Sequence, residues 1–276
     1  MTSPANAADV KALAEFSGAS SDPGSNVSGV KIVYAAVQRT TPGQGAYWEW
    51  GVGWNAGIAN PPPAPPSAAW TQVATTPAQG VASVAWSTPV PAGLLVSSNT
   101  YRVVLAAMDW ATNLATGAAS AGAGFGAEFR FDNEIPTAAV TAPSLSASLN
   151  AASLASLAGT GADATTGNSG LQNVEILLKV AGTSPDAFWN GAVSGLFTTD
   201  WDQGGGHDFW QPVTPPLTGW TKAFPPMAPV DSRRFYVWVR GADKAANAIP
   251  TPSDGQLDAN VNADGSAARS FLYDNS

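Results

Sequence analysis

The feature that most constrains this chain is one stretch of sequence that occurs twice. Tyr101–Asn113 reads YRVVLAAMDWATN, and Phe235–Asn247 reads FYVWVRGADKAAN. In both copies an aromatic residue starts a run in which alternate residues are apolar, and an Asp-x-Ala-x-Asn sequence follows. Such alternation predicts a half-buried antiparallel strand that ends in a turn. The recurrence predicts two copies of one folding unit in tandem.

Other segments recur in the same order. Ala12–Asp22 matches Ser153–Asp163, and Gly18 occupies the position of Gly159 in this match. Each segment is typical of a strand that runs into a turn. The next match pairs Ser25–Val33 with Ser169–Leu177, which aligns Val30 with Val174 and Ile32 with Ile176. A charged residue follows each valine, so this alignment predicts a strand with one buried and one wet face.

Aromatic residues recur as well. The sequence aligns three pairs of tryptophans: Trp48 with Trp189, Trp70 with Trp210, and Trp86 with Trp220. Aromatic residues at equivalent positions of two units that otherwise differ favour core packing over a shared ligand, because each buries on the order of 200 Å².

The composition agrees with an all-β fold of two domains. The chain has 276 residues, of which only 12% are charged, while 28 are Gly and 22 are Pro. So few Lys and Glu residues with so many turn residues disfavour a mostly helical protein. The length suffices for two domains with their own cores, and the repeat places them at residues 1–135 and 136–276.

Charge and residue usage exclude several classes of function. The net charge is −8 with 12 Lys and Arg residues, too few for a patch that neutralises a phosphate backbone, so no nucleic-acid partner is expected. The chain has no Cys, which removes disulfides, thiolate zinc sites and thiol nucleophiles. It has no apolar run of 18 residues, and no membrane insertion is expected.

Taken in order, these motifs resemble the bacterial immunoglobulin-like repeats of large surface and secreted proteins. The resemblance covers nearly the whole chain twice and ends in each unit with a Phe/Tyr-Asp-Asn sequence, at Phe131 and Tyr273. It implies two tandem immunoglobulin-like Greek-key β-sandwiches. It also implies that Tyr101 starts the sixth strand and that its hydroxyl bonds back to the chain, which Phe235 cannot do.

The first unit has a shorter first strand in this interpretation. Unit two begins with Thr137–Pro143, whereas unit one has only Met1–Pro4 before the equivalent loop. We expect the chain to be an excerpt of a longer protein in which a preceding repeat covers the exposed edge. Alternatively, the chain is a subunit that donates a strand to its neighbour and therefore assembles with other copies of itself.

The sequence does not favour an enzyme. The one histidine, His207, lies on a Gly-rich loop, no Gly-x-Ser-x-Gly sequence is present, and the few glutamates fall on apparent strand faces. No catalytic residue is predicted, and no cofactor is required.

Calcium is the one ion that the sequence suggests. Asp258, Asn260, Asn262 and Asp264 precede Gly265, which resembles the first half of a calcium loop. Asn stands at the first position and Phe271 at the twelfth, so a polar turn is the alternative.

The linker between the units is a second calcium candidate. Asp132, Asn133 and Glu134 stand beside Pro136 and could share an ion with a turn such as that of Asp22 or Asp109. A short linker that contains Pro also restricts motion without metal.

The leading functional hypothesis is a non-enzymatic stalk or spacer segment at the cell surface or outside the cell, with neighbouring repeats of the same parent chain as partners. The alternative is a carbohydrate-binding module whose exposed tryptophans contact a polysaccharide or another cell-surface ligand. The candidate ligand residues are Trp48, Trp50, Trp54, Trp201 and Trp210.

Overall fold

The structure is a computed structural model, and it describes residues 1–23, 27–41, 45–59, 62, 64–73, 77–116, 126–150, 153–163, 166–181, 187–191, 197–198, 209–224 and 232–274. The chain divides into two compact units. Unit 1 comprises Met1–Glu134, Thr165–Ser169 and Lys244–Ala246, and unit 2 comprises Ile135–Ala164, Gly170–Asp243 and Asn247–Ser276. Within the described ranges, no helix is long and apolar enough to cross a membrane.

The described residues of unit 1 form ten strands in two sheets. The strands are β1 Ala8–Val10, β2 Glu15–Ser21, β3 Val30–Arg39, β4 Ala46–Glu49, β5 Gly53–Asn55, β6 Thr71–Gln72, β7 Ser83–Pro89, β8 Asn99–Asp109, β9 Leu114–Thr116 and β10 Gly126–Phe131. The larger sheet has the order β1-β10-β8-β3-β4-β5, with β6 on β3 and β9 on β8, and the smaller sheet pairs β2 with β7.

Unit 2 repeats this arrangement. Its described strands are β11 Thr137–Ala142, β12 Ala147–Leu149, β13 Ser156–Ala162, β14 Leu171–Val180, β15 Ala187–Trp189, β16 Phe197–Thr198, β17 Gln211–Pro212, β18 Trp220–Ala223, β19 Arg233–Asp243 and β20 Arg269–Tyr273. A 3-10 turn at Leu217–Gly219 and a short α-helix, α1 Asp254–Asp258, accompany them. One sheet has the order β12-β20-β19-β14-β15-β16, with β17 on β14, and the other has the order β11-β13-β18.

Each unit has its own apolar core between its two sheets. In unit 1, Phe16 of β2 packs against Phe129 of β10 at a ring-centroid distance of 6.2 Å, and Trp86 of β7 joins the same cluster. In unit 2, the corresponding cluster contains Trp220 and Phe271. The all-β, immunoglobulin-like sandwich fold predicted from the sequence is confirmed.

A tryptophan lies against a glycine across the smaller sheet of each unit. Gly18 is the register partner of Trp86, and Gly159 is the register partner of Trp220. A Cβ atom at Gly18 would lie 2.7 Å from Cζ2 of the Trp86 ring, and a Cβ atom at Gly159 would overlap the Trp220 ring. At both positions only glycine leaves room for the indole ring. The matching register pairs show that the two tryptophans occupy equivalent core positions.

The alignment of the third strand needs a correction. Val30 is opposite Asp109, and the equivalent pair in unit 2 is Leu171 opposite Asp243, so Val30 corresponds to Leu171 rather than to Val174. A β-bulge follows each of these residues and shifts the alternation by one position. As a result Val33, and not Ile32, faces the core of unit 1.

The outer face of the larger sheet is partly covered in unit 2. Lys179 of β14 is fully buried, and its Nζ donates a hydrogen bond to the carbonyl oxygen of Leu257 in α1 at 2.9 Å. Trp238 is buried in the same outer cluster as Leu257. The second half of β14 is therefore buried on both faces, whereas the sequence predicts one wet face, because loop residues return over the sheet.

The first strands of the two units differ in extent. In unit 2, β11 pairs with β13 from Thr137 to Ala142. In unit 1, the equivalent contact to β2 is an isolated bridge between Ser3 and Ser17, in which each N–H donates to the other residue's carbonyl oxygen.

Candidate functional site

The Asp-x-Ala-x-Asn sequence forms the same turn in both units. In unit 1, the Asn113 N–H and Nδ2 donate to the two carboxylate oxygens of Asp109, each at 2.7 Å. In unit 2, Asn247 makes the same two bonds to Asp243, at 2.8 and 2.7 Å. The hydrogen bonds from Asn113 lower the pKa of Asp109 below its ordinary value. Both turns therefore hold a carboxylate in a fixed orientation at the end of a strand.

A second aspartate accompanies the turn of each unit. In unit 2, Asp163 follows β13 and accepts a hydrogen bond from the Gly170 N–H at 2.6 Å. In unit 1, Asp22 accepts the equivalent bond from the Gly29 N–H at 2.9 Å and a weaker one from the Ser28 hydroxyl. The common Asp-to-Gly spacing closes the loop between the second and third strands.

The two aspartates of unit 2 lie close to each other. A carboxylate oxygen of Asp163 and one of Asp243 are within 4.8 Å, and Asp243 is fully buried. Two carboxylates at this separation repel, and their repulsion is strong where water is excluded. A divalent cation that binds oxygen ligands would relieve it. The sequence analysis named Asp22 and Asp109 but not this pair, although the recurrence of Asp163 and Asp243 was the available signal.

The linker residues make defined hydrogen bonds within unit 1. The carboxylate of Asp132 is buried and accepts bonds from the Ser169 N–H at 2.7 Å, the Glu134 N–H at 3.1 Å and the Ser97 hydroxyl at 3.2 Å. Burial raises the pKa of Asp132, but these bonds outweigh it and the pKa lies below its ordinary value. Asn133 is exposed, and its N–H donates to the Ser97 hydroxyl.

The loop between α1 and β20 closes on itself. Oδ1 of Asp264 accepts hydrogen bonds from the Ser266 N–H at 2.8 Å and its hydroxyl at 2.6 Å, which hold the pKa of Asp264 below its ordinary value. The Nδ2 of Asn262 donates to the Ser266 hydroxyl. Asn260 has a positive φ of 57°, and Asp258 is the last residue of α1. These bonds form a polar turn, which is the alternative to a calcium loop, and calcium binding here remains a prediction.

The tryptophans of the first candidate sugar site contact one another and the core. Trp48 is 8% exposed, and its ring meets Trp54 edge-on at 5.4 Å. The Arg39 guanidinium lies 5.0 Å from the centre of the Trp54 ring. Trp50 is partly buried against the same core. The indole N–H groups of these three tryptophans have no acceptor among the described residues.

The second group of candidate ligand residues is only partly described. Trp210 is 7% exposed, and its ring lies 4.6 Å from the Arg240 guanidinium. Trp201 and His207 lie outside the described residues. A sugar platform requires an accessible ring face, so the carbohydrate reading remains a prediction for both groups.

The structure also forms a groove in unit 2 that the sequence analysis missed. It has a volume of about 610 Å³ and lies beside β11, with Arg269 and Asp264 among its lining residues. Arg269 is the first residue of β20. The sequence signal for the groove is the longer segment between Asn247 and Arg269, compared with Asn113 to Ala127 in unit 1.

The comparisons with known proteins give structural neighbours of low similarity. No protein-family model and no curated protein matches the chain. The chain is similar to a tetra-tandem repeat in the extending region of a large adhesion protein, with 13% identity and a TM-score of 0.30 over 94% of this chain. The match covers 48% of that structure, so the chain spans about half of its length.

Two further solved structures are similar at the same level. CBD12 from CALX1.2 has 11% identity and a TM-score of 0.28, over 98% of this chain and 97% of that one. The FN1-FN3 domains of chicken CNTN1 have 8% identity and a TM-score of 0.25, over 98% and 67%. These scores are too low for function to be transferred. The strands and registers of the chain itself define an all-β protein of two immunoglobulin-like β-sandwich units.

Proposed function

We propose that the chain is a non-enzymatic structural segment, a stalk or spacer of a large bacterial surface or secreted protein involved in adhesion. It acts outside the cell or at its surface, and its partners are neighbouring repeats of the same parent chain. The proposal rests on how each unit joins an early strand to its last strand, because a spacer must resist tension along the chain.

In each unit, an early strand pairs in parallel with the last strand. Ala8–Val10 of β1 lies beside Phe129–Phe131 of β10, and Ala147–Leu149 of β12 lies beside Phe271–Tyr273 of β20. In a parallel pair the chain enters at one end and leaves at the other. Tension on the two ends therefore loads the hydrogen bonds in shear, and several must break together.

The bonds that flank these pairs are also equivalent. In unit 1, the Ala7 N–H donates to the Glu128 carbonyl oxygen at 2.7 Å. In unit 2, the Ser146 N–H donates to the Ser270 carbonyl oxygen at 2.7 Å. Ala7 and Ser146 both have a positive φ, of 60° and 59°. Two units that otherwise differ in sequence thus build the same junction.

Single-molecule force spectroscopy of the full chain, held at its two ends, tests the proposal. We expect two separate unfolding events, each releasing roughly 40 nm of contour length, because a unit of about 130 residues spans at most ~3.5 Å per residue when extended. Each event should require more force than the unzipping of an antiparallel hairpin. Extension without distinct events would contradict the mechanical role.

Matched proline variants assign the resistance to the parallel pairs. Ala7→Pro and Ser146→Pro each remove one flanking N–H and place a residue of fixed negative φ at a positive-φ position. Each variant should lower the force of one event and leave the other unchanged. Calorimetry of the same variants must first show that both units still melt cooperatively. Unchanged forces in variants with altered melting would exclude these pairs as the resisting element.

Calcium binding is the second candidate function, and the proximity of Asp163 and Asp243 favours it. We expect calorimetric titration with calcium chloride to show binding, and chelation to lower the melting temperature of unit 2. Asp163→Asn keeps the acceptor for the Gly170 N–H but removes a charge. It should therefore abolish the calcium response and, in chelator, raise the melting temperature of unit 2 by relieving repulsion.

Two further variants separate the candidate calcium sites. Asp264→Asn tests the loop before β20, and Glu15→Gln is the control at an exposed acidic residue of β2. If the Asp163–Asp243 pair is the site, both should leave the response of unit 2 intact. Loss of calcium binding in Asp264→Asn alone would transfer the site to the loop.

A further inference from the structure

The groove of unit 2 lies along the free edge of a sheet. Ala138, Ala139 and Val140 of β11 form one wall, and β11 is the terminal strand of the β11-β13-β18 sheet. Pro250 and Pro252 also line the groove. A volume of about 610 Å³ is within the range of small-ligand sites, which are mainly apolar with a few placed polar groups.

Arg269 is the cationic group of the groove. Its Nε donates to the carbonyl oxygen of Val140 at 3.2 Å, and Nη2 donates to the same oxygen at 2.5 Å. These bonds fix the guanidinium plane and leave the Nη1 donors for another acceptor. Within the described ranges, the ion pairs that arginines make with Asp9, Glu128 and Glu175 do not involve Arg269.

Asp264 is the anionic group of the same groove. It is exposed, and Oδ1 accepts both hydrogen bonds from Ser266, which leaves Oδ2 for a ligand. Among the described residues, no cation lies within salt-bridge distance of its carboxylate. The groove thus presents one positive and one negative group, neither neutralised by the protein, beside an apolar wall.

Unit 1 differs in sequence at the positions that correspond to this groove. Ala127 occupies the position of Arg269, because Ala127 pairs with Val103 as Arg269 pairs with Val237. The segment that contributes Asp264 and the two prolines is longer in unit 2 than its counterpart before Ala127. Arg269 and this longer segment are therefore features of unit 2 and not of the shared fold.

From this charge arrangement we propose that unit 2 binds short apolar peptides with free termini. The peptide carboxylate contacts Arg269, its ammonium group contacts Asp264, and its apolar side chains contact the β11 wall. A guanidinium binds a carboxylate through charge-assisted hydrogen bonds, which are about twice as strong as neutral ones. The opposite charges of the two groups favour a zwitterion over an anion or a cation, each of which one group would repel.

Calorimetric titration of the full chain with the tripeptide Ala-Leu-Ala tests this inference. The free peptide should bind, while its C-terminal amide and its N-acetylated form should each bind roughly tenfold more weakly or worse, because each loses a charge-assisted contact. Equal binding of all three forms, or no binding of the free peptide at millimolar concentration, would overturn the proposal.

Variants connect each terminus to its residue. Arg269→Gln should weaken binding of the free peptide roughly tenfold and leave binding of the C-terminal amide unchanged. Asp264→Asn should weaken binding of the free peptide to the same degree and leave binding of the N-acetylated peptide unchanged. Arg234→Gln and Asp258→Asn are the charge-matched controls, because both residues are exposed and neither lines the groove. Ala263→Leu, which fills the groove without changing charge, should abolish binding. If the controls weaken binding as much as the test variants, general electrostatics explains it and the proposal fails.

Discussion

The two units place an aromatic residue at the same core position but stabilise it in different ways. Tyr101 of β8 stacks on Phe129 at 5.6 Å, and its hydroxyl donates to the Val96 carbonyl oxygen at 3.1 Å and accepts from the Val96 N–H at 2.8 Å. Phe235 of β19 stacks on Phe271 at 5.3 Å and has no hydroxyl. Unit 1 thus anchors its ring by hydrogen bonds to a loop.

Unit 2 anchors the equivalent ring by further aromatic contacts. Phe224 meets Phe235 and Phe271 edge-on, each at 5.7 Å, and stacks on Tyr273 at 6.1 Å. The difference shows that the fold requires a large ring at this position but does not fix what surrounds it. Aromatic rings surround the position in both units, since Trp54 also lies 5.7 Å from Tyr101, and unit 1 adds the hydrogen bonds to the loop.

The largest effect should come from the glycine under each tryptophan. Gly159→Ala would place a methyl group into the Trp220 ring and against the Ala139 carbonyl oxygen, whereas at Gly18 the nearest atoms are 2.7 and 2.9 Å away. We expect Gly159→Ala to cost about 3 kcal/mol or more and Gly18→Ala about 1–2 kcal/mol, as overpacked cores do. Calorimetry of the full chain measures both. Equal costs would mean that the two units tolerate the added volume alike.

Phe224→Leu should have the next largest effect. It removes three ring contacts from the core of unit 2, and we expect a loss of about 2 kcal/mol from aromatic contact and side-chain volume. The melting transition of unit 1 should not change. A shift of both transitions in thermal denaturation would contradict the separation of the two cores.

Tyr101→Phe should destabilise unit 1 by about 1–2 kcal/mol. The change keeps the ring but leaves the Val96 N–H and carbonyl group without the hydroxyl partner. It also makes unit 1 resemble unit 2 at this position. Chemical denaturation monitored by tryptophan fluorescence is the measurement. A neutral result would show that the hydroxyl contributes nothing beyond the packing of its ring.

The smallest effect is the pH dependence from Asp132. Its pKa in the folded protein is lower than in the unfolded chain, so its hydrogen bonds stabilise unit 1 at neutral pH. This contribution should be lost as the pH falls below about 4, the pKa of an unfolded Asp, and through the lower folded value. The melting temperature of the Asp132→Asn variant should therefore fall less steeply at acid pH than that of the unchanged protein. If both fall equally, other carboxylates cause the acid sensitivity.

Much of the fold was predictable because it depends on local patterns. The alternation after Tyr101 and Phe235 predicted the two strands, and each Asp-x-Ala-x-Asn sequence predicted a turn. The alignment of Val30 failed because the similar Val-Lys-Ile and Val-Glu-Ile sequences lie three residues out of register, whereas strand pairing places Val30 and Leu171 opposite Asp109 and Asp243. The burial of Lys179 was not predictable either, because residues far along the chain cover it.

The candidate sites show the same limit. Spacing identified the loop from Asp258 to Asp264, since its residues are neighbours in sequence. It did not identify the proximity of Asp163 and Asp243, or the groove between β11 and Arg269, because strand pairing brings these residues together.

The sequence by itself determined that one β-rich unit is written twice, since side-chain period, turn residues and the order of aromatic residues are properties of the linear chain. Only the tertiary structure decided which glycine lies under which tryptophan, which strands pair in parallel, and which charges share a groove. These depend on register across sheets, where a shift of one residue turns a side chain from the core to the solvent.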